Sequence, residues 1–311
     1  MRFLGLLLLL AATTAAGQSG VVRIVVPFAA GGVQDIIARS INAELGAALG
    51  RSVIVENRPG AGGTVGTGSV AKGAADGTMV LAAASHTIAG SLYSKLAYDP
   101  IADFTGVAHI GNVDYVLMIH ADVPAKNVRE FIAYGKANPG KLNYATAGNG
   151  SATHLSMAYF AGLAGIEMVH IPFKATGEAV NEVLAGRSHA VIAANIGALP
   201  YVKDARVRML GATGPKRSKF LPELPAVAES LPGYEFDSWI ALLAPAATPR
   251  AFVDQVNAAV AGLLKDPVIL GRLDKQGVVP QAMSPDALNA LLRADFQKMA
   301  RVVKASGARI D

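Results

Sequence analysis

The sequence predicts an α/β protein built of two lobes, and three observations carry this prediction. Short apolar runs rich in Val, Ile, Leu and Ala alternate with helical patterns along the chain. Strands of this kind are buried on both faces, as in mainly parallel sheets that helices cover. The length of 311 residues suits two hydrophobic cores better than one. Two extended segments, 114–124 and 237–247, each end near a proline, and we interpret them as two crossings between the lobes.

The individual elements follow from these patterns. The apolar runs predict strands at 21–27, 53–56, 79–84, 114–120, 142–146, 168–172, 189–194, 207–212 and 238–244. The periodic segments predict helices at 33–49, 64–73, 126–138, 152–164, 176–186, 249–265 and 285–306. The last two helices have clear starts, because Thr248-Pro249 and Ser284-Pro285 each place a capping residue before a proline.

The two crossings divide the mature chain into a first lobe, 21–118 plus 244–311, and a second lobe, 119–243. A double crossing makes a hinge, and a ligand site then lies in the cleft between the lobes. Trp239, the only tryptophan, lies on the second crossing. We prefer to place it in packing near the hinge, and a lid over the cleft is the alternative.

Residues 1–17 are predicted to be a secretory signal peptide. A positive start at Met1–Phe3 precedes an apolar core at Leu4–Ala12, and small residues follow. We expect cleavage after Ala16 or Gly17. The chain has no cysteine, which excludes both disulfides and a lipid anchor on cysteine. These features predict an exported protein of the bacterial periplasm.

Composition excludes several classes of protein. Hydrophobic residues make up 52% of the chain and charged residues 16%, which is typical of a packed globular protein and not of a disordered one. The net charge is +5, from 28 basic and 23 acidic residues, but the basic residues are scattered, so we expect no nucleic-acid partner. The six histidines are isolated and lack ligand spacing, so we expect no metal and no cofactor.

Three loops that follow predicted strands form the candidate site. A glycine turn before a helix leaves backbone N–H groups free, and the helix dipole adds positive charge, so carboxylates or phosphates bind there. The carboxyl ends of the strands gather such loops at one edge of a sheet. The candidate ligand-binding residues are Phe28, Ala30, Gly31, Gly32 and Asp35 in the first loop, Ser85 and His86 in the second, and Ala147, Gly148, Asn149, Gly150, Ser151 and His154 in the third.

Some of these residues have a second interpretation. Asp35 lies in the first helical turn, where we favour capping of its own loop over contact with an ammonium group of a ligand. Ser151 and His154 share a helix face, so an exported hydrolase using this pair is the alternative to a binding protein. The sequence shows no acid partner and no oxyanion turn for such a pair. The segment 60–66 lacks the glycine spacing of a dinucleotide loop.

Motifs from about Val22 to the C-terminus form a specific set. They are Ile24-Val25-Val26-Pro27-Phe28 with Gly31-Gly32 and Asp35, Val53-Ile54-Val55-Glu56-Asn57-Arg58-Pro59-Gly60-Ala61-Gly62-Gly63, Ser91-Leu92-Tyr93 with Tyr98-Asp99-Pro100, Pro139-Gly140-Lys141-Leu142, Ala147-Gly148-Asn149-Gly150-Ser151 with His154, His170-Ile171-Pro172-Phe173-Lys174, and Leu242-Leu243-Ala244-Pro245. Together they resemble the Bug-type, TctC-like extracytoplasmic solute receptors of tripartite tricarboxylate transporters.

The resemblance implies a two-lobed periplasmic binding protein of the type II-like, Venus flytrap kind, and not an enzyme. It implies that a small carboxylate is held by the loops matching Phe28–Asp35 and Ala147–His154 and is delivered to membrane subunits of the transporter. Lys174 and Asn195 join the candidate ligand-binding set. Some members of the family feed a signalling sensor instead, so a signalling-only receptor is a further alternative. We expect a monomer.

Two positions depart from the family's pattern. Ala30 stands where the family usually has a proline before the paired glycines, which reduces the rigidity of the loop but keeps its N–H groups. Ala193-Ala194-Asn195 stands where an acidic residue often ends the strand. The far end of the cleft is therefore expected to be more neutral, which favours a plain carboxylate over an amino acid.

Overall fold

Two β-sheets organise the chain, and each lies at the centre of one lobe. The computed structural model describes residues 20–306, so the predicted signal peptide at 1–17 and its cleavage site lie outside the described residues. The strands are β1 (Val22–Val26), β2 (Val53–Asn57), β3 (Thr78–Ala82), β4 (Phe104–Val113), β5 (Tyr115–His120), β6 (Leu142–Thr146), β7 (Met168–Pro172), β8 (Ala190–Ala194), β9 (Val207–Ala212), β10 (Ser238–Pro245) and β11 (Val278–Pro280).

Helices pack on both sheets. They are α1 (Val33–Leu49), α2 (Thr64–Ala71), α3 (Ala84–Leu92), α4 (Val128–Ala137), α5 (Ala152–Ala164), α6 (Thr176–Leu184), α7 (Asn195–Ala198), α8 (Arg250–Leu263), α9 (Pro267–Asp274) and α10 (Pro285–Ser306). Within residues 20–306, none of these helices combines the length and the apolar character that a membrane crossing requires.

Both sheets are mixed. The first has the strand order β11-β4-β10-β3-β1-β2 and the second the order β7-β6-β8-β5-β9. Strand β1 is parallel to β2 and β3, and β6 is parallel to β7 and β8. Strands β10 and β5, which adjoin the crossings, are antiparallel to their neighbours. The two α/β lobes are confirmed, but the expectation of mainly parallel sheets is wrong, because β10 in the first sheet and β5 in the second run antiparallel to the strands on both sides of them.

The chain changes sheet twice. Strand β4 ends at Val113 in the first sheet and β5 begins at Tyr115 in the second, so the first crossing is at Asp114. The return lies between Ala212, at the end of β9, and Ser238, at the start of β10. The lobe boundaries at 118/119 and 243/244 stay a prediction. By sheet membership alone, all of β5 belongs with the second lobe and all of β10 with the first.

The first strand and helix show how the sequence builds the first lobe. Ile24 of β1 packs in the larger core, whereas Val25 packs in a cluster on the opposite face of the sheet, as the two-residue period of a strand requires. Ile37, Ile41 and Leu45 of α1 are all buried. Their four-residue spacing places them on one helix face, and that face covers the sheet.

Several elements were missed by the sequence patterns, namely β4, β11, α3, α7 and α9. Strand β4 lacks a continuous apolar run because Gly106, His109 and Gly111 interrupt it. It forms because β10 and β11 pair with it on its two sides. A Cβ atom at Gly106 would lie 2.7 Å from Leu288 Cγ, and one at Gly111 would clash with the Val279 carbonyl oxygen. Close packing therefore requires both glycines.

Trp239 lies in packing near the first crossing, in agreement with the preferred interpretation. It is paired in register with Asn112 of β4, two residues before Asp114. Its side chain is buried in the same hydrophobic cluster as Leu288 of α10, and its Nε1 donates to Asp295 Oδ2 at 2.9 Å. The alternative of a lid over the cleft is therefore wrong, because Asp295 of α10 holds the indole within the first lobe.

The segment that contains Ser85 and His86 is a helix and not the predicted loop. Helix α3 begins at Ala84, directly after β3. His86 is 3% exposed, its Nε2 is 2.7 Å from the carbonyl oxygen of Pro100, and Phe104 packs edge-on against its ring with centroids 4.8 Å apart. Burial lowers the pKa of His86 to about 4. The prediction that His86 contacts a ligand is wrong for this reason, since its ring lies in the core of the first lobe.

The burial of His86 makes stability depend on pH. Because its folded pKa is about 4 and its unfolded pKa is about 6.5, the unfolded chain binds a proton between these pH values and the native chain does not. The free energy of unfolding therefore falls as the pH drops through this window. We expect His86→Gln, which does not titrate, to reduce the loss of unfolding free energy between pH 7 and pH 5 by about 2 kcal/mol.

Urea unfolding of the parent chain and the variant at pH 7, 6 and 5 measures this difference. The two proteins are compared by the slope of the unfolding free energy with pH and not by its absolute value, because the substitution also changes packing. Equal slopes in the two proteins would show that His86 is not held neutral by burial.

Candidate functional site

Two adjoining cavities lie between the lobes. The inner chamber has a volume of about 50 Å³ and the outer cavity a volume of about 550 Å³. Both are lined by Phe28, Ala29, Ala147 and Lys174, so they form one continuous cleft. The inner chamber is also lined by Gly32, Val33, Gln34, Ser85, Val113, Tyr115, Ser151, Ala152, Thr153, Ala175, Thr176, Ala194 and Ile240.

The first wall of the inner chamber is the loop from Phe28 to Gly32, which precedes α1. The N–H of Gly31 donates to Asp35 Oδ2 at 2.9 Å. The side-chain amide of Asn57 donates to the carbonyl oxygen of Phe28 at 3.1 Å and to Asp35 Oδ1 at 3.0 Å. These bonds are made on the side of the loop that faces away from the chamber. The opposite side of the loop and the first turn of α1 therefore stay free to line the chamber.

Asp35 serves its own loop, in agreement with the favoured interpretation. Burial alone raises the pKa of its carboxyl, but hydrogen bonds from Gly31 and Asn57 and the charge of Arg39 together bring the pKa below its usual value. Arg39 Nε lies 2.9 Å from Asp35 Oδ1. The carboxylate is therefore ionised and fully engaged, which leaves it no free oxygen directed at a ligand.

The opposite wall is the loop from Ala147 to Ser151, which precedes α5. Thr153 Oγ1 accepts the N–H of Ala147 at 2.8 Å. Ser151 is the N-cap residue: its Oγ accepts the N–H of His154 at 3.2 Å and donates to the carbonyl oxygen of Gly148 at 2.7 Å. Side chains of the helix start thus fix the loop, in the same manner as in the first lobe.

The inner chamber is surrounded by the first turns of four helices. The first amides of a helix have no intrahelical partner and carry the positive end of the helix dipole. Residues from these first turns or their caps all line the chamber, namely Val33 and Gln34 of α1, Ser85 of α3, Ala152 and Thr153 of α5, and Ala175 and Thr176 of α6. Two of the helices belong to each lobe, so the positive ends face one another across the cleft.

Charged side chains are scarce around this cleft. Among the described residues that line either cavity, none is acidic, and Lys174 is the one charged residue. Lys174 borders both cavities just before the start of α6. The helix dipoles and the lysine both make the electrostatic potential in the cleft more positive, so the cleft suits an anion.

The predicted ligand-binding residues divide into two groups. Those that line the inner chamber, the outer cavity or both are Phe28, Gly32, Ser85, Ala147, Gly148, Asn149, Ser151 and Lys174. Those that line neither are Ala30, Gly31, Asp35, His86, Gly150, His154 and Asn195. The segments that contain the second group border the cleft, but the sequence could not tell the residues that face the cleft from those that support the loops.

Asn195 belongs to this supporting group. It is fully buried, its N–H donates to the carbonyl oxygen of Asp114 at 2.9 Å, and its side-chain amide donates to Ser218 Oγ at 3.2 Å. Asn195 thus ties the start of α7 to the first crossing. Ala194, one residue earlier, is the residue that lines the chamber.

His154 supports its loop from within the second lobe. Its Nδ1 accepts the N–H of Gly150 at 3.2 Å, and its ring stacks on His170 with centroids 4.0 Å apart. Burial, followed by the charge of His170, lowers the pKa of His154 to about 3. His154 is therefore neutral at physiological pH, and it is not a cationic contact for a ligand.

The same geometry removes the hydrolase alternative. Ser151 Oγ donates to the carbonyl oxygen of Gly148, and the Nδ1 atom of His154 is occupied by the N–H of Gly150. A general base must accept the proton of the nucleophile, and here the two side chains bond to backbone groups of their own loop.

Four polar residues that line the inner chamber are absent from the predicted set, namely Gln34, Tyr115, Thr153 and Thr176. Thr176 was detectable, because Lys174-Ala175-Thr176 follows a predicted strand and opens a predicted helix as the other loops do. Tyr115 lies beside the first crossing, and its ring packs edge-on against Phe236 with centroids 5.9 Å apart. Burial raises the pKa of Tyr115 to about 12, so its hydroxyl keeps its proton.

Comparison with known proteins agrees with this architecture. The model of the tripartite tricarboxylate transporter family receptor matches residues 37–308. The chain is 32% identical in each case to three solved proteins: Rpa4515 of R. palustris with adipate (TM-score 0.86, covering 93% of this chain and 98% of that one), the periplasmic binding protein BugD (TM-score 0.85, 93% and 98%), and MatC of Rhodopseudomonas palustris with bound malate (TM-score 0.83, 91% and 98%).

These findings confirm the resemblance that the motifs indicated. The family model covers most of the chain, and the solved neighbours are binding proteins with the same two-lobed fold. The chain belongs to the family of tripartite tricarboxylate transporter receptors, and it is a solute-binding receptor and not an enzyme.

Proposed function

We propose that this receptor binds one carboxylate group of its ligand in the inner chamber and the rest of the ligand in the outer cavity. The ligand is a small, elongated carboxylate. The two lobes close over it, and the loaded receptor delivers it to the membrane subunits of a tripartite tricarboxylate transporter. The exported chain acts in the periplasm as a monomer, after removal of the predicted signal peptide.

The observation that carries this proposal is the convergence of four helix starts on a chamber without acidic side chains. A helix start stabilises a nearby anion by about 0.3–1 kcal/mol at the surface, and by up to about 2 kcal/mol when partly buried. Hydrogen bonds to a charged group contribute about 1.5–3 kcal/mol each. Although these contributions do not add simply, they are large enough for micromolar binding, which needs about 8 kcal/mol.

The sizes of the two cavities support the placement of one carboxylate group in the inner chamber and of the rest of the ligand in the outer cavity. A water molecule needs roughly 10–15 Å³ on the same volume scale, so a chamber of about 50 Å³ suits a carboxylate group and not a whole dicarboxylate. The outer cavity is larger and has the rings of Phe28, Tyr93 and Phe173 in its lining. These rings suit the apolar carbon chain of an elongated acid.

Two solved relatives point to the same class of ligand. Rpa4515 is described with adipate and MatC with malate, and both compounds carry two carboxylates. In the present chain Lys174 borders both cavities. We infer that its ammonium group lies within reach of the second carboxylate of such a ligand.

Closure follows from binding. A ligand that contacts both walls of the chamber binds the closed form more tightly than the open form, and only this difference in affinity shifts the population. The first wall belongs to the first lobe and the opposite wall to the second. A bridging carboxylate therefore contacts the two lobes together only when they are closed.

A thermal-shift screen of the purified mature protein tests the ligand class. We expect adipate, malate or another short dicarboxylate to stabilise the native protein by about 2.7 kcal/mol at a hundredfold excess over its Kd. The neutral diol 1,6-hexanediol, which matches the chain length of adipate, should give no stabilisation. Equal stabilisation by the diol, or none by any mono-, di- or tricarboxylate, would contradict an anion site.

The role of Lys174 is tested by comparing two acids of equal length. Because the lysine is exposed, we expect Lys174→Met to weaken adipate binding by about 1 kcal/mol or less, up to roughly fivefold in Kd. Hexanoate lacks the second carboxylate, so its Kd should not change. Isothermal titration calorimetry measures both.

Lys141→Met is the matched control, because Lys141 is also exposed but precedes β6 and so lies at the opposite edge of the sheet from the loops. This variant should bind both acids as the parent does. An equal effect of Lys174→Met on adipate and hexanoate would show that the lysine does not contact the second carboxylate.

A further inference from the structure

The glycine-rich segment Gly60-Ala61-Gly62-Gly63 lies in the first lobe between β2 and α2, where it lines the outer cavity. All four residues have positive φ angles, of 139°, 45°, 63° and 99° in order. Within residues 20–306, Ala61 is the one non-glycine residue in this region of backbone space. Strain of this kind persists only where the surrounding structure holds it, and it is concentrated at functional sites.

This segment touches the second lobe through its backbone. A Cβ atom built on Gly62 would lie 2.8 Å from the carbonyl oxygen of Asn149 and 3.7 Å from the carbonyl carbon of Gly150. Asn149 and Gly150 belong to the loop before α5, on the other side of the cleft. The two loops therefore meet without a side chain between them, and a single methyl group at Gly62 would not fit.

The first lobe alone holds the segment in its conformation. Tyr93 Oη donates to the carbonyl oxygen of Ala61 at 2.7 Å, and Thr64 Oγ1 donates to the same oxygen at 2.9 Å. The N–H of Gly63 donates to the carbonyl oxygen of Gly60 at 2.9 Å. All of these groups lie in the first lobe. The contact surface is thus already formed before the second lobe arrives, and closure does not have to order it.

From these contacts we propose that the segment 60–63 is the first-lobe half of a closure contact. Gly62 meets the Asn149 carbonyl when the lobes close, and the missing side chain at position 62 sets how far they close. Gly62 is a positioning residue for capture, since it acts on the lobes and not on the ligand. The inference rests on the proposed capture by lobe closure, but the contact itself does not depend on which carboxylate is bound.

Chemical cross-linking between the two loops tests this contact directly. The chain has no cysteine, and both Ala61 and Asn149 are exposed, so Ala61→Cys with Asn149→Cys creates a single reactive pair. A short, flexible bismaleimide joins the two thiols when the loops approach, and the mobility of the product on a denaturing gel records its rate of formation. No ligand is added, so failure of the carboxylate screen leaves this result unaffected.

The decisive comparison is between two glycine substitutions in this cysteine background. Gly62 and Gly165 have the same φ angle of +63°, but a Cβ atom on Gly165 would have no neighbour within 4 Å. Their ψ angles are 19° and 44°, so both lie in the left-handed region. Gly62→Ala and Gly165→Ala therefore carry similar backbone strain, and only the first obstructs the other lobe. We expect Gly62→Ala to slow cross-linking by about fivefold or more, and Gly165→Ala to leave the rate unchanged.

A third variant distinguishes the two groups that a side chain at position 62 would contact, one in each lobe. A Cβ atom at this position would also lie 2.8 Å from Tyr93 Oη, within the first lobe. Tyr93→Phe removes that hydroxyl, and the slowing by Gly62→Ala should persist when the two changes are combined. Restoration of the parent rate in the combined variant would overturn the proposal, because the obstruction would then lie within one lobe.

Two further outcomes would also overturn it. One is the absence of cross-linking in the cysteine pair without other changes, which would show that the loops do not meet in solution. The other is equal slowing by Gly62→Ala and Gly165→Ala, which would assign the effect to backbone strain. Circular dichroism and thermal unfolding of each variant establish that the compared proteins are folded.

Discussion

The convergence of helix starts on one chamber is the constraint on which the proposed anion binding of this receptor depends. Each lobe places two helix starts at the carboxyl end of its sheet, and the crossings bring the two sets face to face around the inner chamber. Amides cannot lose their positive character by titration, and they are fixed by the fold. An anion held in this way needs no arginine clamp, which agrees with a lining in which Lys174 is the one charged side chain among the described residues.

Polar side chains behind the walls make this arrangement possible. Asp35 and Asn57 hold the first loop, and Ser151, Thr153 and His154 hold the opposite one. Each of these groups bonds to the backbone of the loop that it supports and so fixes the conformation of that loop. Their polar chemistry resembles that of a catalytic site, but the bonds are made to backbone groups. This is why a serine and a histidine three residues apart serve binding here and not hydrolysis.

In the proposed function, the outer cavity adds selectivity and a closure contact to the anion site. Its aromatic rings suit a carbon chain, and Lys174 adds one positive charge at its border. The glycine-rich segment 60–63 and the loop before α5 meet beside it through backbone atoms. The glycine-rich motif, which lacks the spacing of a dinucleotide loop, thus has a mechanical explanation, because glycine is needed where two backbones approach closely.

The α/β class, the two-lobed organisation, the family and the loops that border the cleft could all be predicted from the amino-acid sequence. Hydrophobic periodicity and the helix-start residues are local signals, so β1, α1 and the Ala147–Ser151 loop could be located from the chain alone. Which residues of those loops face the cleft became clear from the three-dimensional packing alone. His86, His154 and Asn195 were placed in the site because their segments lie there, but their side chains are buried on the far sides of the loops. Strand β4 and the meeting of Gly62 with Asn149 likewise depend on partners distant in sequence, and no local pattern encodes such contacts.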